Sequence, residues 1–181
     1  MLLSIGGWGS GRFSEMAAND EYRRAFAADC DRVVKEFALD GIDIDWEYPT
    51  SSMANISSSP DDTENFTLLM QDIRAAIGNE KELTLATVAS ARYIDFKAIL
   101  PSVDFVNIMA YDMASAPKHH SALYPSGHSG DITSDGAVTA HLKAGVPPSK
   151  LVMGMPFYGR GGDGYPSFQD YNKVGNTDTQ Y

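Results

Sequence analysis

The sequence is poor in cysteine, in net positive charge and in long apolar runs. Cys30 is the single cysteine, so an internal disulfide is excluded and stability must come from a packed core. Lys and Arg number 14 against 24 Asp and Glu, which gives a net charge of −10. This charge disfavours nucleic acid and anionic membrane surfaces as partners. No segment approaches the roughly 20 apolar residues that cross a bilayer, so membrane insertion is not expected.

Short apolar segments alternate with amphipathic ones along the whole chain. The predicted strands are Leu2–Ile5, 41–47, Leu83–Ala89, Asp104–Tyr111 and Leu151–Pro156. The predicted helices begin near Asn19, at Asp61 or Asp62, at Ile94 and at Ser134. Because strands alternate with helices and no linker interrupts them, we expect one α/β domain with a parallel sheet. No charged leader precedes the first strand, so no targeting segment is predicted.

The densest chemical signal is the acidic segment Asp40-Gly-Ile-Asp-Ile-Asp-Trp-Glu47. In a strand, Asp43, Asp45 and Glu47 share one face, while the apolar residues between them share the other. Three neighbouring carboxyls inside a fold raise one another's pKa, and a carboxyl that keeps its proton can act as a general acid. A solvated acidic face conflicts with the low strand preference of Asp. A Mg²⁺ or Ca²⁺ site is a weaker alternative, since no loop oxygens lie nearby.

The other polar and sulfur-containing residues give weaker signals. The three histidines of the segment 117–130 are expected to be solvated, because nothing fixes them as metal ligands. Cys30 lies on the apolar stripe of the first predicted helix and is expected in the core.

The acidic segment resembles the DxxDxDxE pattern of glycoside hydrolase family 18, the chitinases and related endo-N-acetylglucosaminidases. Ser4-Ile-Gly-Gly7 resembles the family's SxGG on barrel strand three, and Met109-Ala-Tyr-Asp112 its MxYD on strand six. The run 154–160 is similar to the end of strand seven. All four motifs keep the family's order, and together they cover nearly the whole chain.

The resemblance implies a (β/α)8 TIM barrel, of which this chain carries an incomplete part, strands three to seven of eight. Residues 1–181 would form a partial family 18 catalytic barrel, with an insertion or loop region starting after about residue 160. A barrel works by closing its sheet, so strands three and seven are expected as open edges, and the 181 residues alone are expected to be inactive. The family also implies an extracellular or periplasmic location.

The resemblance assigns four catalytic residues. Glu47 would be the general acid that protonates the glycosidic oxygen, and Asp45 would bond the substrate's acetamido N–H. Asp43 would share a proton with Asp45. Tyr111 would hold the acetamido oxygen while it attacks the anomeric carbon. This mechanism is substrate-assisted, uses no carboxylate nucleophile and needs no metal or cofactor.

Further residues resemble parts of the family's sugar pocket. Trp8, Met109, Asp112 and Tyr158 would bind substrate, although Trp8 could equally anchor its loop. Arg160 would be either an ion-pair partner or a subsite contact.

The implied function is hydrolysis of the β-1,4 bonds of chitin or chito-oligosaccharides through an oxazolinium intermediate with retention of configuration. An endo-β-N-acetylglucosaminidase that acts on N-glycan cores is the alternative within the enzyme class. A non-catalytic chitinase-like lectin is the alternative outside it, disfavoured because Glu47 is present.

Overall fold

A computed structural model describes residues 1–160, so the region predicted to follow residue 160 lies outside the described part. Five parallel strands form one sheet in the order β1-β2-β3-β4-β5. The strands are β1 Leu2–Gly6, β2 Gly41–Asp45, β3 Glu82–Val88, β4 Phe105–Met109 and β5 Leu151–Met153. The helices are α1 Phe13–Ala18, α2 Asp20–Glu36, α3 Asp62–Ile77, α4 Phe96–Ile99 and α5 Ser134–Lys143, and a 3₁₀ turn spans Pro148–Lys150.

Local capping sets the bounds of the two long helices. The Asn19 side chain accepts a hydrogen bond from the Tyr22 N–H at 3.0 Å, as expected for the cap of α2. Gly78, with φ of 75°, ends α3, and its N–H donates to the Arg74 carbonyl. At α5 the cap is Thr133 rather than Ser134, because the Thr133 hydroxyl accepts the Gly136 N–H.

Helix α1 is absent from the sequence prediction. It has only six residues, and its N-cap is Arg12, which makes no side-chain cap bond and is not a residue type that marks a helix start in a sequence. Its Phe13 is buried and stacks on Trp46, with ring centroids 5.4 Å apart. The short helix therefore supports the chain where β2 ends.

The main core lies between the sheet and helices α2 and α3. Ile42 and Ile44 of β2 are fully buried there, together with Leu69 and Ile73 of α3. Cys30 is 2% exposed in the same core, as predicted. Within the described residues, β1 and β5 are the two edges of the sheet, and Leu3 and Val152 on them are 39% and 44% exposed.

The end of β1 approaches the end of β2 very closely at Gly6. A Cβ on Gly6 would lie 1.9 Å from the Asp45 carbonyl oxygen, and its φ of 127° is one that L side chains rarely adopt. The next amide, Gly7 N–H, donates to that same carbonyl at 2.8 Å. Glycine at this position therefore allows the backbone of Asp45 to lie against β1.

Among the described residues, none of the helices is long and apolar enough to span a bilayer.

Candidate active site

A cleft of about 770 Å³ opens where β2, β3 and β4 end. It contains six of the eight residues that the sequence predicts for the site: Trp8, Asp45, Glu47, Met109, Tyr111 and Asp112. Of the other two, Tyr158 contacts the Tyr111 ring, with centroids 6.2 Å apart, and Asp43 lies two residues before Asp45 on β2. The remaining lining residues are Tyr48, Met53, Val88, Ala89, Met113, Ala114, Ser115, Ile132 and Arg160.

The period-two pattern of the acidic segment is present in the structure. Trp46 is 3% exposed and packs between Phe13 and Phe66, whereas Asp45 and Glu47 on either side of it line the cleft. Burial of the indole thus fixes the direction of the two carboxyls beside it.

Asp43 accepts hydrogen bonds from side chains on three other strands of the sheet, β1, β3 and β4. Its Oδ2 accepts from the Ser4 hydroxyl at 2.7 Å, and its Oδ1 accepts from Thr84 at 2.5 Å and from Asn107 Nδ2 at 3.1 Å. Three donors therefore converge on this one carboxyl. The charge of Asp43 then acts on Asp45, which lies two residues along the same face of β2.

Asp45 is in the opposite situation. Its Oδ1 is buried and has no hydrogen-bond partner within residues 1–160. Burial, together with the charges of Glu47 and Asp43, raises the pKa of Asp45 to about 7. Near neutral pH this carboxyl therefore carries a proton for much of the time. A proton shared between Asp43 and Asp45, as the resemblance implies, stays a prediction.

Glu47 lies just beyond β2 in a partly buried position. Burial raises its pKa and the charge of Asp112 adds to this, while a hydrogen bond with Tyr48 opposes the rise. Tyr48 itself stacks on Tyr93 with centroids 5.4 Å apart, and the edge of Trp8 contacts it at 6.4 Å. Trp8 is 61% exposed, so most of its ring is free to contact a ligand in the cleft.

The end of β4 brings Tyr111 across the cleft from β2. Burial raises the pKa of Tyr111, and the charges of Asp45, Glu47 and Asp112 add to the shift. Gly154 packs against this ring, because a Cβ there would lie 3.0 Å from Tyr111 Cε1 and 2.8 Å from the Ile108 carbonyl oxygen. Glycine after β5 therefore makes room for the tyrosine.

Asp112 is tied to the segment that follows β5. Both of its carboxylate oxygens pair with the Arg160 guanidinium. Burial tends to raise the pKa of Asp112, but hydrogen bonds from Arg160 and Tyr158 outweigh this and lower it. Arg160 is thus an ion-pair partner, which was one of the two roles predicted for it, and it also lines the cleft.

The expectation of solvated loop histidines is wrong for His120. Its side chain is only 13% exposed, it contacts Asp112, and its ring stacks on Tyr158 with centroids 5.3 Å apart. His141, on α5, is fully buried against Thr87, and its Nδ1–H donates to the Ala137 carbonyl at 2.8 Å. Sequence reasoning missed His120 because a loop has no periodicity that marks a buried face. Residues 1–160 contain no group of three or more His, Cys, Asp or Glu positioned to hold a metal ion.

Carboxyls grouped at the carboxyl ends of parallel strands are typical of α/β enzymes, both open sheets and (β/α)8 barrels. The family model for glycosyl hydrolases family 18 matches residues 1–179. The chain belongs to family 18 of the glycosyl hydrolases. The family and the incomplete TIM barrel predicted from the sequence are therefore confirmed.

Similar proteins carry chitinase names. Chitinase A1 of Niallia circulans is 38% identical over 90% of this chain, and chitotriosidase-1 of Mus musculus is 36% identical over 88%. The chitinase domain of the spore coat protein CotE from Clostridium difficile is 37% identical, with a TM-score of 0.92 over 99% of this chain and 56% of that chain. A family 18 N-acetylglucosaminidase from Paenibacillus barengoltzii is also 37% identical, with a TM-score of 0.87 over 95% of this chain and 60% of its own.

The chain spans only part of the proteins that it resembles. It covers 27% of the length of chitinase A1 and 38% of that of chitotriosidase-1.

Proposed function

We propose that the protein hydrolyses β-1,4 bonds between N-acetylglucosamine units, with chitin or chito-oligosaccharides as substrate. The observation that carries this proposal is the meeting of Asp45, Glu47 and Tyr111 in one cleft at the ends of β2 and β4. The chitinase names of similar proteins support the same substrate class.

In this proposal Glu47 protonates the glycosidic oxygen, a role that suits a carboxyl whose pKa is raised by burial. The acetamido oxygen of the substrate attacks its own anomeric carbon and forms an oxazolinium ion. Water then opens this ion with Glu47 as the base, so the configuration is retained.

Asp45 and Tyr111 would orient the acetamido group. The unpartnered Oδ1 of Asp45 is an acceptor that a substrate N–H could satisfy, and Tyr111 offers a hydroxyl that stays protonated because burial raises its pKa. Orientation of this kind lowers the barrier by removing the entropy of bringing groups together. Trp8 and Met109 would contact the sugar rings, and Asp112 and Tyr158 would form the far wall.

The experiment is to follow hydrolysis of a β-linked chito-oligosaccharide by the full-length protein with ¹H NMR. We expect the β-anomer as the first product, together with negligible turnover of cellulose oligomers, which lack the acetamido group. An initial α-anomer or good turnover of cellulose oligomers would contradict the proposal.

An N-glycan core is the second candidate substrate, because the sequence motifs are shared with the endo-N-acetylglucosaminidases related to the chitinases. A digest of a glycoprotein beside chito-oligosaccharides distinguishes the two. Binding of oligosaccharide without any hydrolysis would support the alternative of a non-catalytic chitinase-like lectin.

We also infer an extracellular or periplasmic location, where a polymeric substrate would be accessible.

A further inference from the structure

We propose that His120 is a positioning residue: one nitrogen of its neutral ring holds the turn Tyr111–Asp112 at the cleft, and the other connects that turn to the segment after β5. The proposal rests on the proposed function for its kinetic consequence, and on the geometry of the loop for its structural content.

The backbone at Asp112 adopts an unusual conformation that needs external support. Asp112 has a φ of 56°, in the left-handed region that non-glycine residues rarely occupy. Its N–H donates to His120 Nδ1 at 3.1 Å, and the next amide, Met113 N–H, donates to the His120 carbonyl at 2.9 Å. Both amides of the turn are therefore satisfied by one residue of the facing loop.

A neighbouring bond strengthens the same contact between the loop and the strand end. The Ser121 hydroxyl donates to the Ala110 carbonyl at 2.6 Å. The loop residues 120–121 thus contact residues 110–113 through three hydrogen bonds.

The hydrogen bonds assign the state of the ring. Nδ1 accepts the Asp112 N–H and so carries no proton. The ring also bonds to the backbone of Tyr158. Because Nδ1 is an acceptor, a neutral ring carries its proton on Nε2, which is then the nitrogen that donates to the Tyr158 carbonyl. The ring links the turn after β4 to the segment after β5, and it stacks on Tyr158 at 5.3 Å.

Burial, and not the neighbouring carboxylate, favours a neutral imidazole. Asp112, whose Oδ1 lies 3.4 Å from Nδ1, favours protonation, and Arg160 opposes it. Burial has the largest effect and lowers the pKa of His120 overall. At neutral pH the ring therefore keeps the acceptor that Asp112 needs.

The structural part can be tested without activity. In ¹⁵N-histidine NMR of the full-length protein at pH 7, assigned with His120→Asn, the His120 signals should be those of the neutral Nε2–H tautomer. An Nδ1–H tautomer or a charged ring would overturn the proposal, whatever the protein hydrolyses.

The kinetic part uses variants that separate the ring's contacts. His120→Phe keeps an aromatic ring against Tyr158 but removes both polar contacts, and we expect kcat to fall by about 10- to 100-fold through misplacement of Tyr111. His120→Asn restores an acceptor near the position of Nδ1 and should recover most of that loss. His128→Asn, in an exposed histidine of the same loop, is the matched control.

The outcomes separate the two proposals. If the wild type hydrolyses no N-acetylglucosamine oligomer, the proposed function fails, and the NMR result still decides the tautomer. If the wild type is active and His120→Phe matches it, positioning by His120 is refuted. If His120→Phe does not fold, lack of any difference in kcat between His120→Asn and His120→Ala would refute it.

Discussion

Asp43 and Asp45 point to the same face of β2, yet their hydrogen bonding is opposite. Asp43 accepts bonds from the side chains of three other strands, whereas Oδ1 of Asp45 is buried without a donor in the part of the chain that the structure describes. The polar contacts of the sheet interior are thus concentrated on one carboxyl. The other has a raised pKa and belongs to a residue that lines the cleft.

The raised pKa of Asp45 predicts a pH-dependent stability. The folded state holds this proton up to about pH 7, whereas an unfolded Asp releases it near 3.8. Folded protein then binds more protons in that window, so the contribution of Asp45 to stability is lost as pH rises from about 4 to 7. Asp45→Asn cannot ionise, so its unfolding free energy relative to wild type should be higher at pH 8 than at pH 4. We expect a difference of roughly 2–4 kcal/mol.

Urea unfolding of both proteins at the two pH values measures this difference. Asp131→Asn, in an exposed loop, is the control and should show no comparable change. If the unfolding free energy of Asp45→Asn differs from that of wild type by the same amount at pH 4 and at pH 8, a buried, protonated Asp45 is refuted.

The Thr84 hydroxyl is predicted to support the acidic strand. Thr84→Val keeps the shape of the side chain but removes the 2.5 Å donor to Asp43, and should lower the unfolding free energy by about 1–3 kcal/mol. We expect slower hydrolysis as well, because Asp43 acts on Asp45 through its charge. Thr87→Val is the control, since that hydroxyl contacts His141 on the helix side. It should lose stability without the loss of kcat, and an equal kcat for the two variants would contradict the role of Asp43.

Gly154 is predicted to set the position of Tyr111. In Gly154→Ala the new methyl would contact the tyrosine ring at 3.0 Å and the Ile108 carbonyl oxygen at 2.8 Å, so the ring must move. A shift of this size should reduce kcat by about 10- to 100-fold. Gly127→Ala, whose Cβ would meet nothing within 4 Å, serves as the matched control. Steady-state kinetics that cannot tell the two variants apart would rule out this packing role.

The sequence predicted the elements whose signals are periodic or chemically dense. The alternation of residues 42–47 identified the buried face of β2. When the apolar side chains of a strand are buried, the acidic side chains between them must point to the opposite face. Helix α1 was missed because six residues give fewer than two turns of pattern. The buried state of His120 was missed because it depends on contacts with Asp112 and Tyr158, which are distant in sequence. The site could be located from strand ends, but its loop contacts required the three-dimensional structure.

The central claim is that Glu47 donates the proton that cleaves the glycosidic bond. The most direct measurement compares Glu47→Gln with wild type in the full-length protein, using kcat on a chito-oligosaccharide and binding of the same oligosaccharide by calorimetry. Loss of a general acid should reduce kcat by about 10²- to 10⁴-fold, while the amide still fits the cleft and binding persists. Hydrolysis by Glu47→Gln at a rate near that of the wild type would contradict the claim.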